Sequence, residues 1–129
     1  MPRRDAGRSI ALEEIKWRTW NDRIRGSVPG VSWGSLFTVE EAPGMGLVEI
    51  APGCELPKHH HTPSEVYCVL RGTGTVRIYN KAHDLAPGTT VYIPSNSTHV
   101  TINTGDTPLL ILYTFPHAAF AEVDYVIDA

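Results

Sequence analysis

From Val31 to Ile127 the chain is written in short runs, alternating or wholly apolar, each the length of a strand rather than a helix. The runs fall at 31–39, 45–51, 55–61, 65–71, 74–80, 89–93, 98–103, 108–115 and 121–127. Glycine and proline punctuate them at 29–30, 43–46, 52–53, 72–74, 87–88, 94, 105–108 and 116. A period of two sends successive side chains to opposite faces. Glu65, Tyr67 and Val69 therefore share one face and Val66, Cys68 and Leu70 the other, while Val76 and Ile78 oppose Thr75, Arg77 and Tyr79. Leu109 to Phe115 is apolar on both faces, the pattern of a central strand. Many short strands with regular turn signals predict an all-β chain, an antiparallel sandwich or barrel.

Before residue 28 the pattern blurs. Residues 1–8 are polar, and residues 9–20 mix helix formers (Ala11, Leu12, Glu13, Glu14) with a strand-like alternation of Ile15, Trp17 and Thr19. The reading is a short irregular N-terminal arm over 1–27, laid against a single barrel domain over 28–129 with no linker and no internal repeat.

Composition narrows the class without changing it. A chain of 129 residues, 42% hydrophobic, is large enough to bury one core. Eleven basic against fourteen acidic residues, with no long run of either sign, leave no footprint for nucleic acid or an anionic membrane. The expected partner is a small molecule. Apolar runs such as Leu109–Tyr113 are too short to cross a bilayer, and Met1-Pro2-Arg3-Arg4-Asp5 leads into no signal-peptide core, so a cytoplasmic location is expected. Cys54 and Cys68 make no disulfide framework and read as small hydrophobes.

The chemistry is concentrated in His59-His60-His61-Thr62-Pro63-Ser64-Glu65-Val66-Tyr67. On a strand His59 and His61 point one way and His60 the other. If the chain reverses at Thr62-Pro63-Ser64 as a hairpin, Glu65 falls opposite His61 and Tyr67 opposite His59, placing all four on one face. That hairpin would also set Cys54 across from Gly72 and Cys68 across from Lys58, too far apart to bridge. Two imidazoles and a carboxylate with matched parity are a candidate site for a divalent metal. A further ligand is expected from another strand, and His99, sharing its face with Thr101 and Asn103, is the candidate. His60 reads as structural.

These spacings resemble the two motifs of the cupin superfamily. Gly53, five residues, His59-x-His61, three residues, Glu65, six residues and Gly72 match the first motif. Gly88, five residues, Pro94, Asn96, two residues, His99, three residues and Asn103 match the second, except that Asn96 stands where the family has glycine. Asn tolerates positive φ better than most residues, so the turn is expected to survive. The resemblance implies a double-stranded β-helix, or jelly roll, holding one divalent transition metal (Fe, Mn, Ni, Co or Zn) through His59, His61, Glu65 and His99, with positions open for substrate.

Tyr67 distinguishes the site, either as a phenol that hydrogen-bonds a metal ligand and fills the barrel or as a group that reaches a metal-bound molecule. A metal that binds a carboxylate acidifies the neighbouring C–H, and a phenolate of lowered pKa beside it can take that proton. The string His-x-His-x-Pro-x-Glu-x-Tyr at 59–67, with Val91-Tyr92-Ile93, Pro29-Gly30-Val31-x-Trp33 and Phe115-Pro116 followed by Phe120-x-Glu122-Val123-x-Tyr125, is similar to the cupin-type dimethylsulfoniopropionate lyases. That resemblance implies β-elimination from a small carboxylate, with Tyr67 as the catalytic base and Tyr125 assisting. Trp33, Phe37 and Tyr79 are candidates for cradling a sulfonium cation. The alternatives are an iron-dependent cupin dioxygenase and a non-catalytic small-molecule-binding cupin. Apolar surface on the arm, with Trp17 and Trp20, suggests a homodimer.

Overall fold

The computed structural model describes residues 6–22, 24, 26–38, 43–116 and 126–128. Among these residues a 3-10 turn at Leu12–Glu14 precedes eleven strands: β1 (Arg18–Asp22), β2 (Gly26–Phe37), β3 (Gly44–Ile50), β4 (Glu55–His60), β5 (Glu65–Arg71), β6 (Gly74–Ile78), β7 (Lys81–Leu85), β8 (Thr90–Ile93), β9 (His99–Asn103), β10 (Leu109–Phe115) and β11 (Val126–Ile127). They form two antiparallel sheets, ordered β1-β2-β3-β10-β5-β8 and β11-β4-β9-β6-β7, which face each other as a jelly roll. Among the described residues no helix is long and apolar enough to cross a membrane.

The alternation read from the sequence maps onto the two sheet faces. Glu65, Tyr67 and Val69 are buried between the sheets while Val66 and Leu70 reach the outer surface. His99, Thr101 and Asn103 point inward, and β10, buried on both faces, lies in the middle of its sheet between β3 and β5. The interior is filled by apolar side chains from both sheets, among them Val48, Ile50, Leu56, Val76, Ile93, Leu109, Ile111 and Phe115.

One pairing differs from expectation. β4 and β5 are not a hairpin: β4 pairs with β9 and β11, and β5 with β10 and β8. Thr62-Pro63-Ser64 carries the chain from one sheet to the other, so His59 lies opposite His99 and Tyr67 opposite Tyr113 and Val91. The shared interior survives because period two sends both residue sets inward whichever strands they pair with. Cys54 and Cys68 are free thiols, half-buried.

The structure adds β7, which the sequence reading passed over. Lys-Ala-His-Asp-Leu is a polar edge strand with only Leu85 buried, so it carries almost no hydrophobic pattern. A turn at Tyr79, with φ +50, reverses the chain into it. Of the strand expected at 121–127, residues 121–125 lie outside the described residues and 126–127 form β11.

Part of the N-terminal arm joins the larger sheet as a regular strand. β1 pairs with β2, and Trp20 is 2% exposed in the main core. Ile15 packs with Leu47 and Leu110 on the outer face of the larger sheet, directly over Gly34, where any Cβ would collide with it. Trp20→Ala is expected to destabilise the fold by ~3–5 kcal/mol, the usual loss for a buried Trp, as read by urea unfolding. A loss under ~1 kcal/mol would mean that β1 is dispensable.

The motif glycines serve the backbone. Gly72 has φ +84, and a Cβ there would collide with the carbonyl of Pro108. Asn96, in the place of the family's glycine, takes φ +59, as its tolerance of that region allows. Asn103 is structural: its Nδ2 donates to the carbonyls of Ile50 and Thr107, both at 2.8 Å, and its Oδ1 accepts the Gly105 N–H at 2.8 Å.

Candidate metal centre

β4 ends by delivering His59 inward and His60 outward, and His61 follows at the start of the crossover. The turn at Asn96 holds that crossover in place. Its N–H donates to the His61 carbonyl at 2.8 Å, and the Ser95 hydroxyl donates to the Thr62 carbonyl at 2.5 Å. β9 presents His99 across from His59, their rings 4.3 Å apart. The potential ligand atoms of His59, His61 and His99 lie within 4.8 Å of one another, and all three side chains are buried.

Each imidazole is oriented by its own backbone. Nδ1 of His59 lies 2.6 Å from the Pro57 carbonyl, Nδ1 of His61 2.8 Å from that of Pro63, and Nδ1 of His99 2.8 Å from that of Ser97. A ring nitrogen facing a carbonyl oxygen must donate, so every Nδ1 carries a proton and Nε2 is left for the interior. This is the outer-shell arrangement that fixes tautomer and direction in imidazole metal ligands. His99 Nε2 is buried and makes no hydrogen bond, which suits a lone pair aimed at a cation.

Glu65 enters from the opposite sheet. Its Oε1 lies 3.2 Å from His61 Nε2 and 3.6 Å from His99 Nε2, with the carboxylate almost wholly excluded from solvent. Burial works against its charge, but contacts with His61 and His99 outweigh burial and hold its pKa below the usual carboxylate value. Burial also opposes charge on His61, yet Glu65 reverses the balance and raises its pKa. His59 goes the other way: burial, then the neighbouring His99, lower it to about 3, so it is neutral and ready to ligate throughout the physiological range. In the chain alone Glu65 favours the charged form of His61, and a divalent cation at the cluster would compete with that proton. The donor set of three Nε2 atoms and one carboxylate fits a divalent transition metal.

Beside this cluster lies a second layer across the barrel. Two residues beyond Glu65 on β5 is Tyr67, and two residues beyond His99 on β9 is Thr101; the Tyr67 hydroxyl and Thr101 Oγ1 are 3.1 Å apart. The phenol expected to have a lowered pKa instead has a raised one in the chain alone. Burial is the main cause and the Glu65 charge adds to it, with the Thr101 hydrogen bond opposing.

The aromatic surroundings also differ from those expected. The Arg8 guanidinium sits 5.3 Å over the Phe37 ring and that of Arg18 5.5 Å over Trp33, while Tyr79 is 62% exposed. Among the described residues, rings against the imidazoles include Trp20, 5.8 Å from His59, and Phe115, 5.2 Å from His61. Tyr113, buried and in register with Tyr67, adds a second phenol whose pKa is raised by burial and by Glu65. Only inward parity on an apolar strand marked Tyr113 in the sequence, and Trp20, expected with Trp17 to be apolar surface for a second copy, is instead buried in the core because β1 pairs with β2 and turns it inward. Tyr125 lies outside the described residues.

Comparison with known proteins agrees with this architecture. The cupin domain model matches residues 46–115, more than half of the chain. Dimethylsulfoniopropionate lyase DddW of Ruegeria pomeroyi is 36% identical over 99 residues, covering 74% of this chain and 64% of that protein. A glucose-6-phosphate isomerase of Pyrococcus horikoshii is 36% identical over 126 residues, covering 83% of this chain and 65% of the isomerase. The chain thus spans less than two thirds of either relative. A solved dimethylsulfoniopropionate lyase structure shares the fold with a TM-score of 0.75 at 21% identity, covering 89% of this chain and 63% of that one. With both histidine motifs on one jelly roll and the domain model spanning the strands that carry them, the chain belongs to the cupin family.

Proposed function

We propose that this chain is a metal-dependent lyase that abstracts the α-proton of a small carboxylate and eliminates its β-substituent. Dimethylsulfoniopropionate is the proposed substrate. The observation that carries the proposal is the pair of adjacent cross-barrel layers: Glu65 with His99, then Tyr67 with Thr101. On this reading the proton acceptor is Tyr67, next to a site suited to a cation. The likeness to the Ruegeria lyase supports the substrate class.

His59, His61, His99 and Glu65 are the proposed ligands of one divalent ion, Fe, Mn, Ni, Co or Zn. Such an ion supplies Lewis-acidic charge that binds a carboxylate and acidifies the adjacent C–H. Tyr67 acts as the phenolate, its own proton having passed to solvent beforehand, and its Oη takes the α-proton. The C–H electron pair becomes the Cα–Cβ double bond, and the Cβ–S bond breaks with its pair going to sulfur, leaving acrylate and neutral dimethyl sulfide. Thr101 Oγ1 holds the phenol oxygen in place, and Trp20 and Phe115 keep water from the imidazoles. The raised pKa makes Tyr67 a strong base once ionised, and ties its ionisation to added positive charge nearby. Tyr125 is proposed to assist.

The elimination is redox-neutral and consumes no oxygen. Metal-loaded protein is expected to form acrylate at the same rate in anaerobic and air-saturated buffer. Strict oxygen dependence would overturn the lyase in favour of an iron-dependent dioxygenase, and a bound but unchanged carboxylate would favour a binding module. A cytoplasmic homodimer is the proposed state: Cys54 and Cys68 as free thiols suit a reducing compartment, and exposed Leu12, Trp17 and Tyr92 offer apolar surface to a second copy. Sedimentation at twice the chain mass is expected, and a monomer at micromolar concentration would contradict it.

A further inference from the structure

His60, flanked on both sides by proposed ligands, points away from the cluster, yet it is not idle. Its Nδ1 donates to Asp128, at 3.1 Å from Oδ1 and 3.0 Å from Oδ2. The same carboxylate accepts the Thr98 hydroxyl at 3.2 Å, and the Asp128 backbone N–H donates to the Lys58 carbonyl at 3.0 Å. Thr98 is the residue before His99. β11 brings Asp128 there by pairing Val126 with His60 and Ile127 with His59, and Ile127 packs against the core. One carboxylate on the outer side therefore joins β4, which carries His59 and leads into His61, to the start of β9, which carries His99.

We propose that Asp128 is a positioning residue for the metal centre, acting through His60 and Thr98 to fix the spacing of the imidazoles on β4 and β9. This rests on the metal-binding half of the function proposed above and not on the lyase reaction. The three ligand side chains already have their Nδ1 atoms anchored to backbone carbonyls near them, so the remaining freedom is the position of the backbone itself. Asp128 removes that freedom from the side opposite the site, without touching metal or substrate. Its pair with His60 is a quarter exposed, so its contribution to overall stability is small and its effect on geometry is the property to measure.

The test is Co²⁺ affinity, read by competition with a chromophoric chelator far below the unfolding temperature, together with the Co²⁺ visible spectrum. Asp128→Ala and His60→Ala are each expected to weaken binding about tenfold, the lower end of the range for outer-shell changes, and to alter the spectrum. His60→Asn keeps an N–H where Nδ1 stands and is expected to restore affinity to within ~3-fold of the parent. Ile127→Ala, which loosens β11 while leaving the carboxylate, is expected to have the smaller effect. Affinity unchanged in both alanine variants would overturn the proposal, as would His60→Asn behaving like His60→Ala. If Asp128→Ala fails to fold, the two His60 variants decide alone. A parent protein that binds no Co²⁺ would remove the metal centre itself, whereas binding without lyase activity would leave this proposal standing.

Discussion

Tyr67→Phe is expected to lower turnover of dimethylsulfoniopropionate by roughly 10²–10⁴-fold, the range for loss of a general base, while metal affinity stays within about a factor of two. The substitution removes one oxygen and keeps the ring, which is fully buried between β10 and β8. Nothing that orients the imidazoles is lost, because their anchors are the carbonyls of Pro57, Pro63 and Ser97. Thr101 loses its 3.1 Å partner, at about 1 kcal/mol of stability, so the variant stays folded. Steady-state kinetics and chelator competition on the same preparation check both halves. Retained turnover would remove Tyr67 from the chemistry, and lost metal would make it a structural support.

His99→Ala is expected to weaken metal binding by more than ~100-fold, above the ~10–100-fold that outer-shell changes cause. The histidine is the contribution of β9 to a cluster otherwise built from β4, the crossover and β5, and its Nε2 lies 3.6 Å from Glu65 Oε1. Acidity competes with the metal in a definite direction. His61 must shed its proton to ligate, and Glu65 holds the His61 pKa above its ordinary 6.5. Below that raised value, apparent affinity falls about tenfold per pH unit, and above it the affinity levels off. His59, at about 3, does not compete. For the metal-free chain the sign reverses. A raised folded-state pKa means that the His61 charge stabilises the fold fully below 6.5, and this contribution disappears as pH rises through the raised value. Metal-free protein therefore loses stability over the interval in which metal binding improves. Thermal unfolding with and without metal across that interval checks the crossing; parallel curves would contradict it.

How much of this was readable beforehand depended on what each feature leaves in a sequence. Side-chain parity is local, so period two shows that His59 shares a face with His61 and Glu65 with Tyr67, while the link of both sets to His99 came from the two cupin-like motifs. Strand pairing is not local. Thr62-Pro63-Ser64 looks like a hairpin turn, and nothing in those residues says that the chain changes sheets there. β7 escaped because an edge strand needs only one buried side chain, here Leu85. Trp20 was read as surface rather than core because the helix formers before it obscured the alternation of β1. The Asp128 clamp left no signal, since a carboxylate 68 residues from His60 becomes a partner only through β11. That Tyr67 is raised in the metal-free chain left no signal either, because burial depends on what closes over a residue, and the sequence shows only which way it points.

The most direct measurement of the central claim is dimethyl sulfide in the headspace over protein reconstituted with Fe²⁺, Mn²⁺, Ni²⁺, Co²⁺ or Zn²⁺ and given dimethylsulfoniopropionate. Dimethyl sulfide and acrylate in equal amounts, with at least one metal, without oxygen, and abolished in Tyr67→Phe, is the predicted result. Protein that demonstrably holds each metal and releases no dimethyl sulfide above the metal-only control would contradict the assignment.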